Sequence, residues 1–168
     1  DDQMAFWINV YNISAINFVT EHYPVDNVLD LSSNDVSYSN LKIITVYNEK
    51  YSLNEIKEKL LFYNDDRVLF TLSNGALSEP QLLQTPYTSL KIEDQLKSST
   101  FSFINERFRG VDIKKETNYI YVSTLFQNNA PIFENEQKIK HFIAPNFKEN
   151  IDSYRLYYLR ENHKINDY

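Results

Sequence analysis

Apolar residues recur every three to four positions through the first 22 residues, at Phe6, Val10, Ile13, Ile16 and Val19. Trp7, Ile8, Tyr11 and Phe18 broaden that stripe. The period predicts an amphipathic helix over 1–22, and apolar side chains on several sides predict a central position for it. Tyr23-Pro24 ends the helix, because the residue before proline avoids helical backbone angles. Residues 25–31 allow a short second helical turn, and 32–40 read as a polar loop. The run LKIITVY at 41–47 is β-branched and predicts a strand. A tight connection at 48–50 then lets Tyr51 and Leu53 close a small hairpin. Ser52 with Glu55 three residues later forms a capping box for a helix through Phe62, with Ile56, Leu60 and Leu61 on its buried side. A turn at 64–66 is followed by RVLFTL at 67–72, which predicts a buried strand leading into the loop SNGALSEP at 73–80.

Beyond Pro86, Thr88 is placed to cap a helix through about Phe108. Its apolar positions include Leu90, Leu96, Phe103 and Ile104, and Arg109-Gly110 ends it. YIYVS at 119–123 predicts a strand and Leu125-Phe126 the start of a helical turn. Residues 134–143 predict a helix that stops before Pro145, and YRLYYL at 154–159 a last strand. Strands separated by helices predict an α+β fold, with a small, mostly antiparallel sheet packed with several helices around the N-terminal one. There is no repeat, linker or low-complexity segment, so residues 1–168 are expected to form one domain. The chain opens at Asp1 rather than at methionine, and the domain is expected to be part of a longer protein.

Composition alters this picture in a few places. Aromatics make up 15% of the chain, with 13 Tyr and 11 Phe, so many buried phenols need hydrogen-bond partners. With only 2 Gly, most turns must be built from Asn, Asp and Ser. The net charge of -6, with Lys and Arg dispersed, argues against nucleic acid or an anionic membrane as the main partner. The absence of cysteine removes disulfides, thiolate catalysis and thiolate metal sites together. No apolar run reaches the roughly 18 residues of a membrane span, so membrane insertion is not expected. A soluble protein is expected, with the cytoplasm favoured. Asn12-Ile13-Ser14 matches a glycosylation sequon, but within an apolar helix it reads as a chance match.

Candidate chemistry is sparse. His22 follows a helix whose last carbonyls it can satisfy, His141 falls on a solvated helix face, and His163 lies past the last strand. None has metal-ligand spacing to another His or carboxylate, so neither a metal nor another cofactor is expected. Ser73 and Ser78 flank Gly75 without forming the Gly-x-Ser-x-Gly elbow of a nucleophile, and such residues commonly complete turns. Glu79 could pair with Glu93 or Asp94, and residues 64–67 lack the Gly and final Glu of a calcium loop. Asn9 and Asn12 are costly in an apolar helix unless satisfied. They are expected to bond to neighbouring loop backbone and hold 73–80 in place. Tyr154, Tyr157, Tyr158 and Tyr168 gather near the C-terminus, half of them expected to face inward, and tyrosine is favoured at protein interfaces.

The octapeptide Ala5-Phe6-Trp7-Ile8-Asn9-Val10-Tyr11-Asn12 resembles the opening signature of the family named only as domain of unknown function 547. Trp7, Asn9, Tyr11 and Asn12 are its most distinctive residues. Similarity continues through 21–25, Tyr51-Ser52-Leu53, Asp66-Arg67, Pro86-Tyr87-Thr88, Tyr121-Val122-Ser123, Tyr158-Leu159 and 165–167. Members of that family commonly carry a His in the strand before the loop, then a Cys, then Ser-Cys-Pro. In this chain those reactive positions hold Leu69, Asn74 and Glu79, while Gly75, Ser78 and Pro80 agree. An amide has neither the nucleophilicity nor the ionisable proton of a thiol. With Ser73, these residues are expected to form a vestigial loop. The resemblance implies a cysteine-free, non-catalytic domain that binds or scaffolds a protein partner. The alternative is a hydrolase-like enzyme using Ser73 or Ser78 with His163.

Overall fold

A computed structural model describes residues 1–166. The chain divides into two compact units, residues 1–99 with the tail that begins at Asn162, and residues 100–161. The fold is α+β as the pattern predicts, its strands split between two small sheets.

The first unit is organised around α1, Asp2–Glu21. Its buried face runs through Met4, Ala5, Ile8, Tyr11, Asn12, Ala15 and Val19. Phe6, Ile13 and Ile16, which the pattern assigned to the buried stripe, are instead exposed. The helix carries two apolar stripes, and periodicity alone does not say which one the rest of the chain covers. At its end, His22 Nδ1 lies 2.8 Å from the Phe18 carbonyl, the capping role expected of it.

After short 3-10 turns at Val28–Leu31 and Tyr38–Asn40, β1 (Ile44–Val46) and β2 (Glu49–Tyr51) form an antiparallel hairpin. Tyr47 and Asn48 both adopt positive φ, 50° and 68°, the backbone of a two-residue hairpin turn. The first strand is therefore shorter than the β-branched run suggests. The capping box forms as read: Ser52 accepts the Glu55 amide, Glu55 accepts the Ser52 amide, and α2 (Leu53–Leu61) follows.

Residues 67–72 depart from expectation. Asp66–Thr71 is a 3-10 helix, not a strand. Asp65 caps it by accepting the Arg67 amide, and the Thr71 hydroxyl donates to the Val68 carbonyl at 2.6 Å. Val68, Leu69, Phe70 and Thr71 are all buried. A run covered on every side shows no period by which strand and helix could be told apart. The next helix, α3 (Ile92–Asn105), begins later than Thr88. The Thr88 amide donates to Gln95 Oε1, whose Nε2 donates to the Pro86 carbonyl, so Gln95 ties the preceding turn to the helix. The helix stops short of Phe108, and Gly110 follows where a Cβ would meet the Phe103 carbonyl oxygen at 1.7 Å.

The chain enters the second unit within α3. There β4 (Tyr119–Val122) is central, antiparallel to β3 (Val111–Lys114) and parallel to β5 (Arg155–Tyr158). The strand β3 lies in a stretch where the pattern gave no element. A parallel pair needs a long crossover, supplied by α4 (Thr124–Asn128), α5 (Ala130–Phe133) and α6 (Glu136–Ile143). Phe126, Phe133 and Phe142 pack edge to face within it. The Lys140 side chain is only 3% exposed. Its ammonium donates to the Asp152 and Tyr154 carbonyls and pairs with Glu136, fixing the entry to β5. Tyr154 is buried while the adjacent Tyr157 and Tyr158 both stay exposed, so fewer than half of the described tyrosines of this cluster face inward, and Tyr168 lies outside the described residues. No helix among the described residues is long and apolar enough to cross a membrane.

Candidate functional site

Asn9 and Asn12 stand one helical turn apart on α1, and each presents its amide to another chain segment as a peptide group would. Asn12 Nδ2 donates to the Thr71 carbonyl at 2.8 Å, and Asn12 Oδ1 accepts the Ser73 amide at 2.9 Å. Asn9 does the same at Tyr87, donating to its carbonyl at 2.8 Å and accepting its amide at 2.9 Å. The helix thus clamps the chain on both sides of the loop. This is the role the two residues were expected to play. The Asn12 side chain is therefore committed within the fold, which agrees with reading its sequon as a chance match.

Between the clamps the loop's own polar side chains accept its backbone amides. Asn74 Oδ1 accepts the Ala76 amide at 3.0 Å, an Asx turn that a cysteine could not make. Ser73 Oγ accepts the Gly75 amide at 3.4 Å. Gly75 sits at φ +96°, and a Cβ there would lie 3.1 Å from Val19 Cγ2, so both its backbone angle and its proximity to α1 call for glycine. Leu69 is buried in the preceding 3-10 helix.

The C-terminal tail completes the loop, and no sequence pattern announced this. On one edge the tail pairs with the loop: the Leu77 amide donates to the Lys164 carbonyl and the Asn166 amide to the Gly75 carbonyl, both at 2.8 Å. On the other it pairs with the segment after α1, where the Val28 amide donates to His163 O at 2.9 Å and the Ile165 amide to Asp26 O at 3.0 Å. The tail is thus a short strand threaded between two loops. The Ser78 hydroxyl donates to the Asn162 carbonyl at 2.8 Å, so its proton is given to backbone rather than to a base.

The remaining signature residues divide. Tyr11 is buried, and burial foremost, then the nearby Glu79 carboxylate and Tyr38, push its phenol well above the ordinary range. Its proton therefore stays in place at neutral pH, and Glu79 and Tyr11 belong to one electrostatic environment. Trp7 faces elsewhere: it packs edge to face on Tyr51, and Lys59 Nζ lies 5.1 Å over its ring. Glu93, considered as a partner for Glu79, is instead held by Arg67 and Lys97, which lower its carboxyl to about 2. His141 is exposed on α6.

Beside the loop opens a cleft of about 630 Å3, lined by Ile16, Val19 and Thr20 of α1, Tyr23, Ser73, Gly75, Gln81, Leu82, and Ile165 and Asn166 of the tail. Its size falls within the range of small-molecule sites. Of these lining residues, only Ser73 and Gly75 were singled out as site candidates from the sequence. The other signal available was the second apolar stripe of α1, whose Ile16 forms part of the wall.

Comparison with curated proteins and with solved structures returns no match. A family model does match, over residues 1–104, the part of the chain that holds both clamps and the loop. With more than half of its length matched, this chain belongs to the family described as protein of unknown function, DUF547.

Proposed function

We propose that this protein is a non-catalytic binding domain in which the family loop has become architecture. The observation that carries the reading is the fate of the loop's polar groups. Asn74 closes a turn on Ala76, and Ser78 gives its proton to the Asn162 carbonyl. A serine nucleophile needs a base to accept its proton, and a hydroxyl donating to a carbonyl is not so placed. The adjoining cleft supports binding: it is concave, it forms at the loop, and its walls come from α1, the loop region and the tail together. The fold would then serve to hold a ligand or a partner's side chains at that cleft, within a larger protein or assembly.

A fluorophosphonate probe tests the reading, because a serine activated by a neighbouring base attacks its phosphorus, displaces fluoride and is phosphonylated. The expected result is no covalent adduct at Ser73 or Ser78 by intact-mass and peptide mapping. Stoichiometric labelling of either, lost on His163→Ala, would establish the hydrolase-like alternative instead.

A further inference from the structure

The lining of the cleft specifies its ligand more narrowly than its volume does. Ile16, Val19, Leu82 and Ile165 give it apolar walls, and none of its lining residues carries a charge. Besides the exposed Tyr23 hydroxyl, three polar side chains there retain hydrogen-bonding capacity. Ser73 is 4% exposed, and its hydroxyl accepts from Gly75 but donates to no group among the described residues. The side-chain amides of Gln81 and Asn166 make no hydrogen bond among the described residues, and Asn166 is tied to the loop only through its backbone. Two amides and a hydroxyl donor over an aliphatic surface match a group that both donates and accepts on an apolar body. A charged group there would be desolvated with no counter-ion among the lining residues, which disfavours it strongly. The unit around the cleft is also acidic. Residues 1–99 and 162–168 carry 8 Lys and Arg against 15 Asp and Glu, a net -7, which repels anions further.

We propose that the cleft binds a neutral, amide-bearing ligand with a branched aliphatic body, of the kind presented by a capped aliphatic amino-acid residue. This rests on the reading of the cleft as a binding site. The ligand's aliphatic part would lie on Ile16, Val19 and Leu82, and its amide would meet Ser73, Gln81 and Asn166.

Three probes of one shape separate charge from fit: N-acetyl-leucinamide, which is neutral, N-acetyl-leucine, an anion, and leucinamide, a cation at pH 7. With 15N-glycine as the only label, the spectrum holds two backbone signals, because the chain has 2 Gly. Gly75 lines the cleft, and Gly110 lies in the other unit as an internal control. The expected result is a saturable shift of Gly75 alone with N-acetyl-leucinamide, and at least tenfold weaker binding of both charged probes. Leu82 is in an exposed coil, so Leu82→Asp should fold normally. It should weaken the neutral probe at least fivefold and make leucinamide the better ligand. A Gly75 signal unmoved by millimolar N-acetyl-leucinamide, or charged probes that bind equally well, would overturn the proposal. Cleavage of the probe's amide bonds, with binding intact, would instead refute the non-catalytic reading and leave the ligand class standing.

Discussion

Replacing Asn12 with alanine strands two backbone groups at once. The Ser73 amide loses its acceptor and the Thr71 carbonyl loses its donor. Thr71 is 1% exposed and Ser73 is 4%, so water does not readily take the amide's place. Leaving a buried polar group unpaired costs about 1–3 kcal/mol, which gives about 2–6 kcal/mol for the pair. Alanine's better helix propensity returns roughly 0.5 kcal/mol of that. The net loss, about 1.5–5.5 kcal/mol, is a large share of a typical domain stability of about 5–15 kcal/mol. Urea unfolding followed by the fluorescence of Trp7, the chain's 1 Trp, reads this directly, since Trp7 sits on the same helix. With a slope of about 2 kcal/mol per M, the midpoint should fall by about 1–3 M. Asn12→Asp keeps an acceptor for Ser73 but sets a carboxylate oxygen against the Thr71 carbonyl. That carboxyl's folded pKa is therefore raised, and its deficit should shrink as acid protonates it and restores a donor. Asn9→Leu should cost less, about 1–3 kcal/mol, because Asn9 is only half-buried and water can partly replace it. An unfolding free energy for Asn12→Ala within about 0.5 kcal/mol of the native chain, at unchanged slope, would refute the clamp.

Three other outcomes follow from the same structure. Gly75→Ala should destabilise the first unit by about 1–3 kcal/mol, through its positive φ and the Val19 contact, measured by the same urea titration. Arg67 holds both Asp65 and Glu93 below their ordinary carboxyl range, Glu93 at about 2. Their stabilisation is present above the unfolded carboxyl values and is lost as pH falls. Arg67→Met should therefore flatten the acid limb of the stability curve between about pH 5 and pH 2, checked by thermal melts across that range. Lys140→Met should cost about 2–6 kcal/mol by leaving the Asp152 and Tyr154 carbonyls without their buried donor, at about 1–3 kcal/mol each. Hydrogen exchange should speed up across β4 and β5 in that variant, and unchanged protection there would show that Lys140 holds nothing.

The sequence by itself determined those features whose causes lie within a few residues. The capping box at Ser52 and Glu55, the end of α1 before Tyr23-Pro24 and the stop of α6 near Pro145 all depend on local backbone chemistry. It also determined that Asn9 and Asn12 needed partners, because an amide in an apolar helix must be satisfied, and that Leu69, Asn74 and Glu79 cannot do thiol or imidazole chemistry. Tertiary structure alone decided which stripe of α1 is covered, because Phe6, Ile13 and Ile16 are as apolar as the residues that won. It decided that 66–71 coils rather than extends, because burial on every side erases the period that would distinguish the two. It also decided where the tail goes. The bonds from Asp26, Val28, Gly75 and Leu77 to residues 163–166 join segments far apart in sequence, and a backbone pairing of that kind leaves almost no mark on side-chain composition. The cleft is built from that pairing, so its walls became legible only once the chain had returned to meet its own loop.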